Sequence, residues 1–246
     1  MLSVGMFKLR ILGESPFVNM STRGIVNLST PGIPRPTQIK RVVAYVDGFN
    51  LYFGLRDSKM RRYLWLNLPR LVTALLVRDQ ILLKTKYFTS LISAPAAKRK
   101  RQTTYLEALR TCSMDSLEVF YGKYQTQDYT CRTCSAVEPI PSEKKTDVNI
   151  AVEMMVDAFG DSFDTAILVT ADSDLVPPIT SIKRLFPEKR IVIAFPPGRF
   201  SQELRGEDHT SFTIGRGKFA ASQLPESVTK HDGTVLVRPD KWKADD

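Results

Sequence analysis

Apolar and polar positions along this chain fall into alternating blocks. Residues 42–46, 84–92, 117–124, 165–170 and 191–195 are short apolar-rich runs of strand length. Helical stretches lie between most of them. Leu66-Asn67-Leu68-Pro69 starts a helix. Asn67 can cap it, Pro69 is tolerated in a first turn, and Leu71, Leu75 and Leu76 share a face. Residues 95–110 form a second helix with a basic start. Residues 146–159 form a third, capped by Thr146, with Val148, Ala151, Val152, Met155 and Phe159 as its apolar stripe. Residues 172–186 form a fourth, with Pro177 and Pro178 near its start. Strands alternating with helices predict an α/β domain: a central, mostly parallel sheet of about five strands, flanked by helices and joined by right-handed crossovers.

The ends of the chain do not share this pattern. Residues 1–40 carry scattered Gly and Pro, one acid (Glu14) and no sustained period, so they are expected to form a poorly ordered basic extension. Met20 is an alternative start. Residues 41–212 hold the alternating blocks. Residues 213–246 are punctuated by Gly and Pro, with a short strand expected at 234–237, and are set apart as a C-terminal extension.

Charge changes the picture. The 246 residues carry 35 Lys and Arg against 26 Asp and Glu, a formal net charge of +9. Such a balance favours an anionic partner, nucleic acid first. No apolar run approaches the roughly 18 residues of a membrane span. Three cysteines do not make a disulfide framework, and the N-terminus lacks the order of a secretory signal. A cytoplasmic protein is expected.

Four acids stand out against this basic background. Asp47 ends the first strand, Asp172 and Asp174 follow the fourth, and Asp147 opens the third helix. Ligands of an open α/β sheet bind beyond the carboxyl ends of its strands. Convergent Asp side chains suit a hard divalent cation such as Mg²⁺ or Mn²⁺. Such a cation can activate water and neutralise a phosphodiester. Singly, each Asp is equally at home as a helix cap or turn former. Their placement on one sheet gives them weight together.

Three segments carry a family resemblance: Val46-Asp47-Gly48-Phe49-Asn50-Leu51, Glu143-Lys144-Lys145-Thr146-Asp147-Val148 and Thr170-Ala171-Asp172-Ser173-Asp174-Leu175. In this order they resemble the signatures of NYN domains, members of the PIN-like nuclease superfamily, over roughly residues 41–197. The resemblance implies a three-layer fold and metal-dependent ribonuclease chemistry, with Asp47, Asp147, Asp172 and Asp174 holding the metal. It also implies that Asn50 positions a ligand or water, and that Thr170 and Ser173 bind phosphate or metal-bound water. Glu153 stands where relatives often carry another Asp, and is expected to be structural or to support the ligands.

Other features fit a polyanion. Lys144 and Lys145 directly precede Asp147 and can reach a substrate backbone. Lys98-Arg99-Lys100-Arg101 is a denser run, equally readable as a solvated face. Tyr52, Phe53 and Tyr63 lie among Arg56, Lys59, Arg61 and Arg62, a mixture suited to stacking single-stranded bases, although at least one ring is expected in the core. Cys131 and Cys134 offer half of a tetrahedral zinc site whose other half is missing from the sequence. The expected activity is RNA hydrolysis, with single-stranded RNA as partner and a homodimer compatible. The alternative is a non-catalytic RNA-binding or regulatory module. Phosphatases of the haloacid dehalogenase type want Asp-x-Asp after the first strand, and Phe49 opposes that reading.

Overall fold

The computed structural model describes residues 38–130, 137–206 and 210–244. Cys131, Cys134, His209 and residues 1–37 of the expected extension lie outside the described residues. Residues 38–246 form one compact unit.

The chain runs β1 (Lys40–Asp47), α1 (Gly48–Asp57), α2 (Leu68–Leu75), β2 (Gln80–Thr89), α3 (Ala96–Ser113) and β3 (Leu117–Tyr121). An antiparallel hairpin, β4 (Lys123–Thr130) and β5 (Val137–Lys144), leads into α4 (Thr146–Phe159). Then come β6 (Thr165–Val169), α5 (Val176–Leu185), β7 (Arg190–Phe195), β8 (Thr210–Thr213) and α6 (Arg216–Ala221). A small antiparallel pair, β9 (Ser227–Thr229) and β10 (Val235–Val237), follows.

Six strands form the central sheet in the order β3-β2-β1-β6-β7-β8, every neighbouring pair parallel. The sixth strand beyond the five expected is β8, whose Thr-Ser-Phe-Thr sequence has no apolar run. Connections step outward from β1 on one side and from β6 on the other. The order therefore reverses between β1 and β6, and the crevice at such a switch point is where open α/β sheets bind ligands.

Both faces of the sheet are covered, which is why β1 and β6 read as continuous apolar runs. Val42, Ala44 and Val46 face one core layer with α1, α2 and α3. Val43 and Tyr45 face the other, with α4 and α5. The described part of the expected C-terminal extension, residues 213–244, belongs to the first layer: Phe219, Leu224, Val228, Leu236 and Trp242 are buried there. The Trp65 indole donates to the Pro225 carbonyl (2.6 Å) and ties that segment to α2's approach.

Helix α4 differs from its expected phase. The buried row is Ile150, Met154 and Ala158, whereas Val148, Val152 and Phe159 of the expected stripe are exposed. The helix is apolar on two sides, so periodicity alone selected the wrong row. A third side carries Glu153 and Asp157. Lys86 of β2 is buried and bonds both, at 2.7 and 2.8 Å, while the Tyr45 hydroxyl donates to Asp157 at 2.6 Å. Glu153 thus holds α4 to the sheet.

Candidate metal centre

Asp47 lies at the last position of β1, where its carboxylate does two local jobs. One oxygen accepts the Asn50 amide (3.0 Å) and caps α1, and the other accepts the Thr170 hydroxyl (2.9 Å). Asp is a favoured N-cap because it satisfies a backbone donor left over by the helix start. Gly48 follows because nothing larger fits. A Cβ there would lie 2.6 Å from the Phe88 carbonyl oxygen and 2.7 Å from the Tyr87 ring.

Across the switch point, the turn after β6 is built from the same few atoms. The Thr170 hydroxyl, fully buried, accepts the Asp172 amide at 3.1 Å. The Asp172 carboxylate accepts the Asp174 amide at 3.0 Å. Asn50 accepts the Ala171 amide at 3.2 Å and so clamps α1 to this turn. Asn50 and Thr170 are therefore engaged with protein groups, Thr170 with both adjacent acids. These protein groups are the partners the structure gives the Thr170 hydroxyl.

The third acid arrives from α4. Lys145 takes left-handed backbone (φ 78°) where β5 turns into the helix, a conformation uncommon outside Gly. Asp147 follows in the helix's first turn. Asp47, Asp147 and Asp172 each place a carboxylate oxygen within 4.8 Å of the others. Asp174 is exposed and outside this trio; Ser173 is half-buried beside it, Lys145 is exposed, and the Lys144 side chain is not among those described.

Among the described residues, no Lys, Arg or His pairs with the three clustered acids. Burial raises the Asp147 carboxyl to about 6, with Asp172, Asp47 and Asp174 adding repulsion. Asp47 is also raised, first by burial, with Asp172 adding to it and the bonds from Asn50 and Thr170 opposing it. Crowded acids of this kind are relieved by a proton or a cation. An all-oxygen donor set fits a hard cation such as Mg²⁺ or Mn²⁺ better than a soft one.

Aromatic and basic residues singled out by sequence divide. Tyr63 is buried in the core, and Tyr52 is exposed. Of the run in α3, Lys98 and Arg101 line a cavity beside α1, and Arg99 and Lys100 do not. That cavity was not legible in the sequence, because its walls come from α1, β2, α3 and Trp242.

The chain is 28% identical over 241 residues to 6-hydroxy-3-succinoylpyridine 3-monooxygenase of Pseudomonas putida, covering 82% of this chain and 75% of that one. A solved structure of a protein of unknown function from Vibrio parahaemolyticus matches with a TM-score of 0.48 at 17% identity, covering 78% of this chain and 100% of that chain. The model of the NYN domain matches residues 41–215 and takes in β1 through β8. On that match the chain belongs to the NYN domain family, and its α/β fold is the three-layer PIN-like one.

Proposed function

We propose that this NYN domain is a metal-dependent ribonuclease, hydrolysing RNA phosphodiester bonds with Mg²⁺ or Mn²⁺ held by Asp47, Asp147 and Asp172. The observation that carries the reading is the trio of carboxylates within 4.8 Å, at the switch point, with no protein cation paired to them among the described residues. A divalent ion there supplies charge neutralisation at the phosphate and a water of lowered pKa. The protein's share is to hold the acids rigidly: Thr170 fixes Asp47, the Asp174 amide fixes Asp172, and Asn50 locks the two turns together. Asp174, outside the trio and exposed, is assigned to solvent around the ion. Lys145 and Ser173 are assigned to the substrate backbone. With formal net charge +9, the chain as a whole favours a polyanion.

The relative named as a monooxygenase supports a second reading, oxygenation of a pyridine-ring acid. That chemistry needs two electrons from a reduced cofactor as well as dioxygen. Carboxylates alone, without His or Cys, suit a redox-inert hard cation better than a redox iron or copper.

One experiment separates the readings: cleavage of labelled single-stranded RNA in Mn²⁺, Mg²⁺ and EDTA, with Asp172→Asn alongside. Cleavage in Mn²⁺ or Mg²⁺ that is lost both in EDTA and in the variant is the expected result. Equal cleavage by variant and wild type would remove the metal centre from the reaction.

A further inference from the structure

A cavity of about 270 Å³ lies between α1, the end of β2 and the start of α3. It adjoins the acids directly: Gly48 and Phe49, the two residues after Asp47, are among its walls. Nothing in the proposed metal chemistry uses it. Its volume is near the small end for ligand pockets, enough for one ring system rather than a dinucleotide.

The lining is aromatic. Tyr52, Phe53, Tyr87, Tyr105 and Trp242 contribute. Tyr52 and Phe53 meet edge to face at 5.3 Å, and Tyr52 stays 37% exposed at the mouth of the pocket. A cavity walled by aromatic rings favours a flat ligand.

The cations are equally informative. Arg56 is committed, bonded to Asp57 at 2.7 Å and stacked on Phe53 at 4.5 Å. Lys98 and Arg101 lie three apart on α3 and both line the cavity. Neither has an acidic partner among the described residues. Positive charge left over beside an aromatic pocket calls for a ligand with a ring and an anionic group.

The polar groups of the walls narrow the choice further. The Tyr105 hydroxyl is spent on the Leu66 carbonyl (2.9 Å). Gln102 accepts from the Ile92 amide (2.8 Å) and donates to the Ser90 carbonyl (2.9 Å). With these side chains engaged, the edge of a ring finds few donors to read it. Recognition then rests on stacking and on charge, which every nucleobase satisfies.

We infer that this cavity is a nucleotide subsite, taking one unpaired base of the RNA strand among its rings with the adjoining phosphate on Lys98 and Arg101. It rests on the ribonuclease reading for the identity of the strand, and deepens that reading by naming what positions it. A base inserted there holds the neighbouring backbone against the β1–α1 turn that carries Asp47. Duplex RNA keeps its bases stacked and cannot enter, so the subsite selects single strands without selecting sequence.

Fluorescence tests it in EDTA, where no cleavage intervenes. Trp242 lines the cavity, while the other tryptophan, Trp65, is fully buried. A single-stranded RNA hexamer should quench wild-type emission, and Trp242→Phe should lose the quenching. Tyr52→Ala should weaken hexamer binding about tenfold, the value of one stacked base. The double change Lys98→Glu, Arg101→Glu should lower the slope of log K against log salt by about 0.7, one single-strand phosphate contact. In Mn²⁺, Tyr52→Ala should raise KM with little change in kcat, whereas Asp172→Asn should abolish turnover yet bind normally in EDTA. Unchanged affinity and salt slope in both cavity variants would overturn the subsite even if Asp172→Asn abolishes cleavage. Quenching by benzoate as strong as by the hexamer would also overturn it, making the cavity a site for small aromatic acids. Absence of cleavage with the hexamer effects intact would leave the subsite standing and sink the nuclease reading alone.

Discussion

The two ends of the central sheet both gather aspartates, and they treat them in opposite ways. At the carboxyl end, Asp47, Asp147 and Asp172 converge without a paired cation among the described residues, and burial holds Asp47 and Asp147 above the ordinary carboxylate range. At the amino end, Asp161 and Asp164 sit with Arg41 and Lys189. Arg41 grips Asp164 with two nitrogens and its backbone amide, and reaches Asp161 at 2.9 Å. Lys189, itself buried, bonds Asp161 at 2.6 Å. These bonds hold both carboxyls below their usual range. The same residue type is thus a structural tie at one end and an unbalanced charge at the other. Only the unbalanced set has anything to gain from a cation in solution.

Breaking one acid at each end tests the contrast most severely. Asp47→Asn should reduce Mn²⁺-dependent RNA cleavage at least about a hundredfold, since charge is lost where the phosphoryl group must be neutralised. The amide can still cap α1, so circular dichroism should be unchanged. Asp164→Asn, at the other end, should leave cleavage within a factor of two of wild type. Equal losses from both substitutions would show that the acids at the carboxyl end act only through the fold.

Between the two ends lies a third arrangement, with Lys86 compensating Glu153 and Asp157 inside the structure. Lys86→Met should cost about 3 kcal/mol, because Glu153 and Asp157 lose their shared cation. Thermal unfolding with and without Mn²⁺ measures it. A loss below about 1 kcal/mol would mean solvent reaches these acids far more freely than their burial implies.

Asp147→Asn should move stability the other way. Asp147 carries a raised pKa because its charged form is disfavoured in the fold, so neutralising it should stabilise the metal-free protein at pH 7. Allowing for partial solvent screening, the gain is about 1 to 2 kcal/mol. The variant should also lose most of the rise in melting temperature that Mg²⁺ or Mn²⁺ gives the wild type. Destabilisation of the metal-free variant would mean that the carboxylate is already compensated.

Parts of this contrast were open to reading in the sequence. Val42-Val43-Ala44-Tyr45-Val46 ends in Asp47, and Ala166-Ile167-Leu168-Val169-Thr170 leads to Asp172. Runs apolar on both faces announce buried parallel strands, and acids at their carboxyl ends announce a site. Other elements lacked such signals. Helix α1, with Gly48, Gly54, Asn50 and the three aromatics Phe49, Tyr52 and Phe53, has weak intrinsic propensity and depends on the Asp47 cap. Strand β5 contains Pro139 and Pro141, which argue against a strand except in an edge ribbon such as this hairpin. Lys86 looked like any strand lysine, because its partner Glu153 is 67 residues away. The cavity wall at Trp242 depends on a segment whose Gly and Pro spacing reads as extension rather than core.

The smallest expected effect is the one that sharpens the comparison most, since it reads both ends in a single experiment. For Asp164 the folded pKa is lowered, so its stabilisation is present above the unfolded value near 4 and is lost as pH falls through the folded one. For Asp147 the folded pKa is raised from 3.8 to about 6, so the metal-free fold is favoured at low pH and loses stability as pH rises across that interval. Metal-free stability measured by urea titration from pH 3 to 8 should therefore carry two opposed limbs. Asp164→Asn should flatten the limb below about pH 4 and cost about 0.5 to 1 kcal/mol at pH 7, as expected of a partly exposed pair. Asp147→Asn should flatten the decline between about pH 4 and 6 and leave the acid limb alone. Added Mg²⁺ should act on the second limb only, because a cation has acids to bind at one end of the sheet and finds them already paired at the other. A divalent ion that stabilised the Asp147→Asn protein as much as wild type would place its binding elsewhere and end the distinction between the two clusters.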